Sequence, residues 1–146
     1  MPVIVVGADT EQGRALVEGL IEPGREVRAF VSDLDVATEL RRAGVKVALG
    51  DVSDDSHVQA ASMSCFSAVL VAEAARDGRE RSFATSEEHV LRGWASATSA
   101  SGVTRVIWVH DGEVPPVEVK EVRTVSPAHA RLVSEVVALD DARTLG

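Results

Sequence analysis

The chain opens on an apolar run, Val3-Ile4-Val5-Val6, that ends at Gly7. Continuous β-branched hydrophobicity, without alternation, predicts a strand buried on both faces of a parallel sheet. Between Arg14 and Ile21 the period changes: Ala15, Leu16, Gly19 and Leu20 recur at helical spacing until Pro23-Gly24 stops the segment. The same alternation repeats down the chain. Residues 27–31 predict a second strand, 35–43 a helix with Val36, Ala37 and Leu40 inward and Gly44 at its C-terminal end, and 45–49 a third strand. Asp54-Asp55 caps a short helix reaching about Met63, and 68–72 read as strand four. Residues 76–81 read as a polar loop. Residues 86–100 place Val90, Leu91, Trp94, Ala95 and Ala97 on one helical face, and 103–109 follow Gly102 as strand five. Beyond it, the Val/Glu-rich stretch 113–125, with Pro115-Pro116 near its start, fits an edge strand or extended loop. Ser126-Pro127 opens a last helix using Leu132, Val133, Val136 and Val137. No sixth buried strand is expected. Five such units imply right-handed crossovers and an α/β fold, a Rossmann-like doubly wound parallel sheet in the order 3-2-1-4-5, within a single domain over residues 1–146.

Composition narrows the function. A net charge of −8 argues against nucleic acid or an anionic membrane surface as partner. No apolar run approaches the roughly 20 residues of a membrane span, and the amino terminus has neither a basic leader nor a small-residue cleavage site, so a cytoplasmic protein is expected. The lone Cys65 removes any intrachain disulfide and reads as a buried structural thiol. His57 and His89 lack partners at metal-ligand spacing, so no metal site is expected. There is no tyrosine, and Lys46 and Lys120 are the only lysines.

The turn Gly7-Ala8-Asp9-Thr10-Glu11-Gln12-Gly13 sits between the first strand and first helix, where a doubly wound fold places its phosphate-binding loop. Gly7-Ala8 and Gly13, with Gly13-Arg14-Ala15-Leu16-Val17, Glu26-Val27-Arg28-Ala29-Phe30-Val31, Ala43-Gly44-Val45-Lys46-Val47, Gly50-Asp51-Val52 and Ser101-Gly102-Val103-Thr104-Arg105-Val106-Ile107, give the chain up to about residue 110 its character. It resembles the short-chain dehydrogenase/reductase superfamily, in particular the atypical NmrA-like branch, whose first turn is usually Gly-Ala-Thr-Gly-x-x-Gly. The resemblance implies an NAD or NADP site in which Gly7, Ala8, Thr10, Gly13 and Arg14 approach the pyrophosphate, Ser32 and Asp33 the ribose, and Asp51 and Val52 the adenine. Asp33 stands 20 residues after Gly13, near the spacing of an acid that accepts a ribose 2′-hydroxyl; it reads equally as a helix cap, and Asp51 equally as a turn acid. Ser32 stands where that branch often has Arg, so NAD is favoured over NADP.

The turn also departs from the pattern. Thr10 returns a branched side chain where close backbone approach needs glycine, and Asp9 and Glu11 add carboxylates at the positive end of the helix. The alternative reading is that Asp9 or Thr10 caps the helix and no ligand is needed. The resemblance implies a catalytic Tyr with a Lys four residues later. This chain lacks the Tyr; on the matching stretch 126–135, Arg131 would stand for the Lys. His110-Asp111 follows strand five where the family often has serines, making His110 a candidate base with Asp111 or Asp51 orienting it. No Gly-x-Ser-x-Gly elbow is present. Three functions follow: a catalytically inactive dinucleotide sensor or regulatory module with a protein partner, an oxidoreductase working near His110, or an interaction module that has lost its cofactor. A homodimer is expected through the apolar stripes of the last two helices. The stretch 114–125 is a second route, guarded by its prolines and by Glu118, Lys120 and Glu121.

Overall fold

The computed structural model describes residues 1–145. Its strands are β1 (Val3–Val6), β2 (Val27–Val31), β3 (Lys46–Leu49), β4 (Ser67–Val71), β5 (Arg105–Val109) and β6 (Glu121–Val125). All pair in parallel, in the order β3-β2-β1-β4-β5-β6. Helices α1 (Glu11–Leu20), α2 (Leu34–Arg42) and α5 (Leu132–Asp141) cover one face, where Val3 and Val5 point; α3 (Asp55–Ser62) and α4 (Glu87–Ser101) cover the other, where Ile4 and Val6 point. The central strands β1, β4 and β5 are wholly buried, which explains their unbroken apolar runs.

The expected order 3-2-1-4-5 holds and is extended by one strand. The sixth strand escapes the apolar signature because it is an edge: only Val125 is buried, while Arg123 and Thr124 are exposed. Its crossover is an extended chain instead of a helix. Val114, Val117 and Val119 of that crossover pack on the α4 face, and the Glu118 N–H donates to Ser99 Oγ. The last helix starts at Leu132 and not at Ser126-Pro127, because Ser126, His129 and their neighbours spend their hydrogen bonds on successive turns. Helix α1 begins at Glu11, not at Arg14: the Thr10 hydroxyl accepts from the Gly13 N–H, setting the first turn earlier than the apolar residues do.

The stripes expected to form a dimer face are largely spent inside one subunit. Val90, Leu91, Trp94 and Ala95 are at most 4% exposed, and Val136 is fully buried. Of the α5 stripe, Val133 and Val137 keep partial exposure, beside Gly19 of α1, where an added Cβ would lie 2.2 Å from Val133 Cγ1.

Helix α5 is held at its far end by two arginines. The Arg105 side chain is fully buried, lies over the Phe66 ring at 4.8 Å, and donates to the carbonyls of Leu139, Asp140 and Ala142 and to Glu121. A guanidinium on the last carbonyls of a helix satisfies acceptors that have no partner within it and complements the dipole. Arg25 adds a pair with Asp140 at 3.1 Å and a second with Asp141. Arg105→Met keeps the packing volume but leaves three carbonyls unpaired; it should cost roughly 3 kcal/mol, a fall of about 6–12 °C in Tm for this size of domain, read by thermal denaturation.

Candidate functional site

In a doubly wound sheet, ligands bind outside the carboxyl ends of the strands, where the connections to either side diverge. In this chain that edge gathers Gly7 after β1, Ser32 after β2, Asp51 after β3, a single 3-10 turn over Ala72–Ala75 after β4, and His110 after β5.

The first turn has the backbone of a dinucleotide loop. Gly7 adopts φ +86°, and a Cβ on Gly13 would lie 2.0 Å from the Gly7 carbonyl oxygen, so both glycines are required for the helix to start this close to the strand. The third expected glycine is Thr10, and its side chain is built into the fold. It caps α1 and donates to the Gly7 carbonyl oxygen at 2.8 Å, with 6% exposure. Gly7 is also closed from above: an added Cβ would meet Ala74 Cβ at 2.9 Å and the Val71 carbonyl oxygen at 3.0 Å.

Asp9 turns away from α1. Its Oδ2 accepts from the backbone N–H of Ser32 at 2.8 Å and of Asp33 at 3.2 Å, and its Oδ1 pairs with Arg79 Nη1 at 2.8 Å. The side chains of Asp9 and Arg79 are 4% and 12% exposed. Arg79 also pairs with Asp77 and reaches Ser32 Oγ at 3.4 Å. Burial alone would push the Arg79 pKa down, but Asp77 and Asp9 outweigh it and hold the group above its ordinary value. Asp51 binds the same segment further along: it accepts from Ser53 and from the Ser82 N–H at 2.7 Å, while the Phe83 N–H donates to Ser53 Oγ. Residues 76–83 therefore form a strap across the strand ends, tied to β1 through Asp9 and to β3 through Asp51. Sequence reading passed over 76–81 as a polar loop; its signal was opposite charges packed into Arg76-Asp77-Gly78-Arg79-Glu80-Arg81, facing unpartnered acids at positions 9 and 51.

The remaining predicted positions have local duties. Asp33 caps α2, accepting from the N–H groups of Asp35 and Val36. Arg14 pairs with Glu39 of α2. Ala8 and Val52 are fully buried, and the Val52 carbonyl accepts from Trp94 Nε1 at 2.8 Å. His57 stacks edge-on against Phe30 over Gly50, and His89 is exposed on α4. Cys65 is buried, and that burial pushes its thiol up, which disfavours the reactive thiolate. No group of three or more metal-binding side chains occurs among the described residues, and no helix among them is long and apolar enough to cross a membrane.

The expected chemistry around His110 is only partly assembled. His110 is 9% exposed at the end of β5, and its Nε2 lies 3.3 Å from Glu87 Oε1 on α4, a partner the sequence did not indicate. Neither expected orienting acid serves: Asp111 is exposed and accepts from Ser126 Oγ, and Asp51 holds the strap. Arg131 is exposed at the start of α5, on the opposite face of the sheet from Glu87 and His110, and so does not stand in for a catalytic lysine beside them.

A six-stranded parallel sheet with a glycine turn between β1 and α1 defines a Rossmann-type nucleotide-binding fold. The NAD(P)H-binding family model matches residues 7–137, and the chain belongs to that family, in agreement with the NmrA-like character of its motifs. Among solved structures, the chain is similar to the triphenylmethane reductase of Citrobacter sp. (17% identity, TM-score 0.63, 96% of this chain and 45% of that one). It is also similar to an anaerobillin reductase from Escherichia coli O157:H7 (25%, 0.59, 76% and 51%). A third is an NADPH-dependent quinone oxidoreductase from Escherichia coli complexed with NADPH (20%, 0.59, 73% and 36%). No curated protein sequence matches significantly. The chain spans between 36% and 51% of the length of these three solved chains.

The strap's carboxylate anchors set its pH dependence. Burial pushes Asp51 and Asp77 up, but hydrogen bonds from Ser53 and Ser82 on Asp51, and the guanidinium groups of Arg79 and Arg81 on Asp77, leave both below the usual carboxylate range. Folded-state pKa values below the unfolded ones contribute stability above pH about 4, lost as pH falls through the folded values. The Ser82 amide resonance should therefore be constant from neutral pH to about pH 5 and shift as Asp51 protonates below about pH 4. A Ser82 resonance unchanged by Asp51→Asn would contradict the anchor.

Proposed function

We propose that the chain is a dinucleotide-responsive regulatory module that favours NAD(H), in which nucleotide binding displaces the 76–83 strap. The observation that carries this reading is the Asp9 carboxylate between the Ser32 and Asp33 N–H groups and Arg79. It holds the backbone donors at the end of β2 and ties down the strap, so that a ligand entering there competes with both. The recess around it, about 350 Å³, is lined by Asp9, Asp33, Asp77 and Glu80 against the single cation Arg79. Each carboxylate within about 6 Å of a phosphate costs roughly 2–3 kcal/mol at an effective dielectric near 20, which opposes the extra 2′-phosphate of NADP. Membership of an NAD(P)H-binding family supports a nicotinamide cofactor. The absent tyrosine, and Arg131 on the far face, support regulation over dehydrogenase chemistry of the tyrosine–lysine kind.

A second reading, an oxidoreductase using His110, is favoured by the His110–Glu87 pair at the end of β5. Self-association is also proposed, with Val133 and Val137 the helical residues still available to it.

Calorimetric titration should show weak NADH binding that exceeds NADPH binding, and Asp9→Thr combined with Thr10→Gly should tighten it about tenfold or more. NADH should at the same time speed tryptic cleavage after Arg79 and Arg81. Binding that leaves the strap protected would sink the sensor reading. Oxidation of NADH with common carbonyl substrates, abolished by His110→Ala, would promote the second one. A sedimentation mass of one chain at tens of micromolar would remove the dimer.

A further inference from the structure

A cleft of about 590 Å³ opens between the first turn of α4 and the turn that follows β5, lined by Glu87, Leu91, Arg92, His110, Glu113 and Val114 among others. It shares no lining residue with the acid-lined recess at Asp9. Its size is within the range of small-molecule sites.

The floor is built closely. A Cβ on Gly112 would lie 2.7 Å from His110 Nε2, so only glycine lets the turn close against the imidazole. His110 is more than nine-tenths buried. Its Nε2 faces Glu87, and its Nδ1 is enclosed without a hydrogen-bond partner among the described residues. The walls are apolar and stiff: Leu91 and Val114, with Pro115 and Pro116 fixing the backbone.

The charges are unbalanced. Glu88 and Arg92 satisfy one another at the rim. Glu87 keeps a third of its side-chain surface exposed, and its nearest guanidinium, Arg76, is 3.9 Å away and itself 42% exposed. Glu113 has no ion-pair partner among the described residues. The Glu87 carboxylate lies 3.3 Å from His110 Nε2, and an anion entering the cleft would meet that carboxylate against apolar walls that cannot solvate the approach.

We propose that this cleft binds an apolar organic cation, an aryl- or alkylammonium whose hydrocarbon lies against Leu91, Val114 and the proline pair and whose charge is taken by Glu87.

Three naphthalene probes of matched shape test it: naphthylmethylammonium, the uncharged naphthylmethanol and the anionic naphthoate, titrated by fluorescence anisotropy. The ammonium should bind at least about tenfold more tightly than the alcohol, and naphthoate should not bind. Glu87→Gln should erase the preference for the cation while leaving thermal unfolding unchanged. Glu18→Gln, on the exposed side of α1, should leave the preference intact. Equal binding of alcohol and ammonium would overturn the proposal. So would a Glu87→Gln protein that still prefers the cation, or an equal loss in Glu18→Gln, which would mark a generic effect of the protein's acidity. Cation binding without NADH binding would count against the dinucleotide reading alone.

Discussion

The strand-end edge of this molecule is organised by one carboxylate. A parallel sheet delivers backbone N–H groups and helix N-termini to its carboxyl edge, and in nucleotide-binding folds a phosphate or ribose satisfies them. Here the chain supplies the acceptors itself. Asp9 takes the Ser32 and Asp33 N–H groups, Thr10 takes that of Gly13, and Asp51 takes those of Ser53 and Ser82. Because the same Asp9 also holds Arg79, satisfying the backbone and tying down the strap are one event. An intramolecular partner competes at high effective concentration, so a ligand enters this crevice only by replacing bonds already made.

The two halves of the edge therefore differ in kind. The half beneath the strap is polar, acid-rich and internally paired. The half at His110 is an open cleft with apolar walls and one histidine–carboxylate contact. They are separated by the packing of Ala74 and Val71 over Gly7, the place where a dinucleotide's pyrophosphate would join them. Opening the crevice means lifting the 3-10 turn as well as the strap. The strap and the turn are contiguous in sequence, residues 72–83.

Most of the fold was legible in the sequence because strands buried on both faces write unbroken apolar runs and the helices between them write a period of 3.6. The legibility failed where burial is one-sided or local bonds decide. Strand β6, which sits at an edge and carries Arg123 and Thr124 outward, was legible only as edge strand or extended loop, without its bounds. Helix α1 starts at the cap Thr10 and not at its first apolar residue. The phosphate turn was readable as defective, since Thr10 and Asp9 stand where glycine and threonine are expected. What Asp9 does was not readable: its partners lie 23, 24 and 70 residues away, and no local pattern encodes a contact at that distance. Glu87 was not readable for the same reason, whereas Asp111, adjacent to His110 in sequence, turns to Ser126.

The internal pairing supports the proposed sensor role over that of an enzyme. An enzyme that cycles hydride gains from a preformed crevice, since every bond broken on cofactor entry is subtracted from the affinity that positions it. A sensor needs the opposite. A ligand shifts a conformational equilibrium only by its differential affinity for the two states, and a state closed by the ligand's own competitors maximises that difference. On the proposed reading, Asp9 lowers affinity and, by the same bonds, would make occupancy visible in the position of residues 76–83. On that reading, weak binding and a large displacement are two consequences of one carboxylate, and a substitution that tightens binding would diminish the displacement.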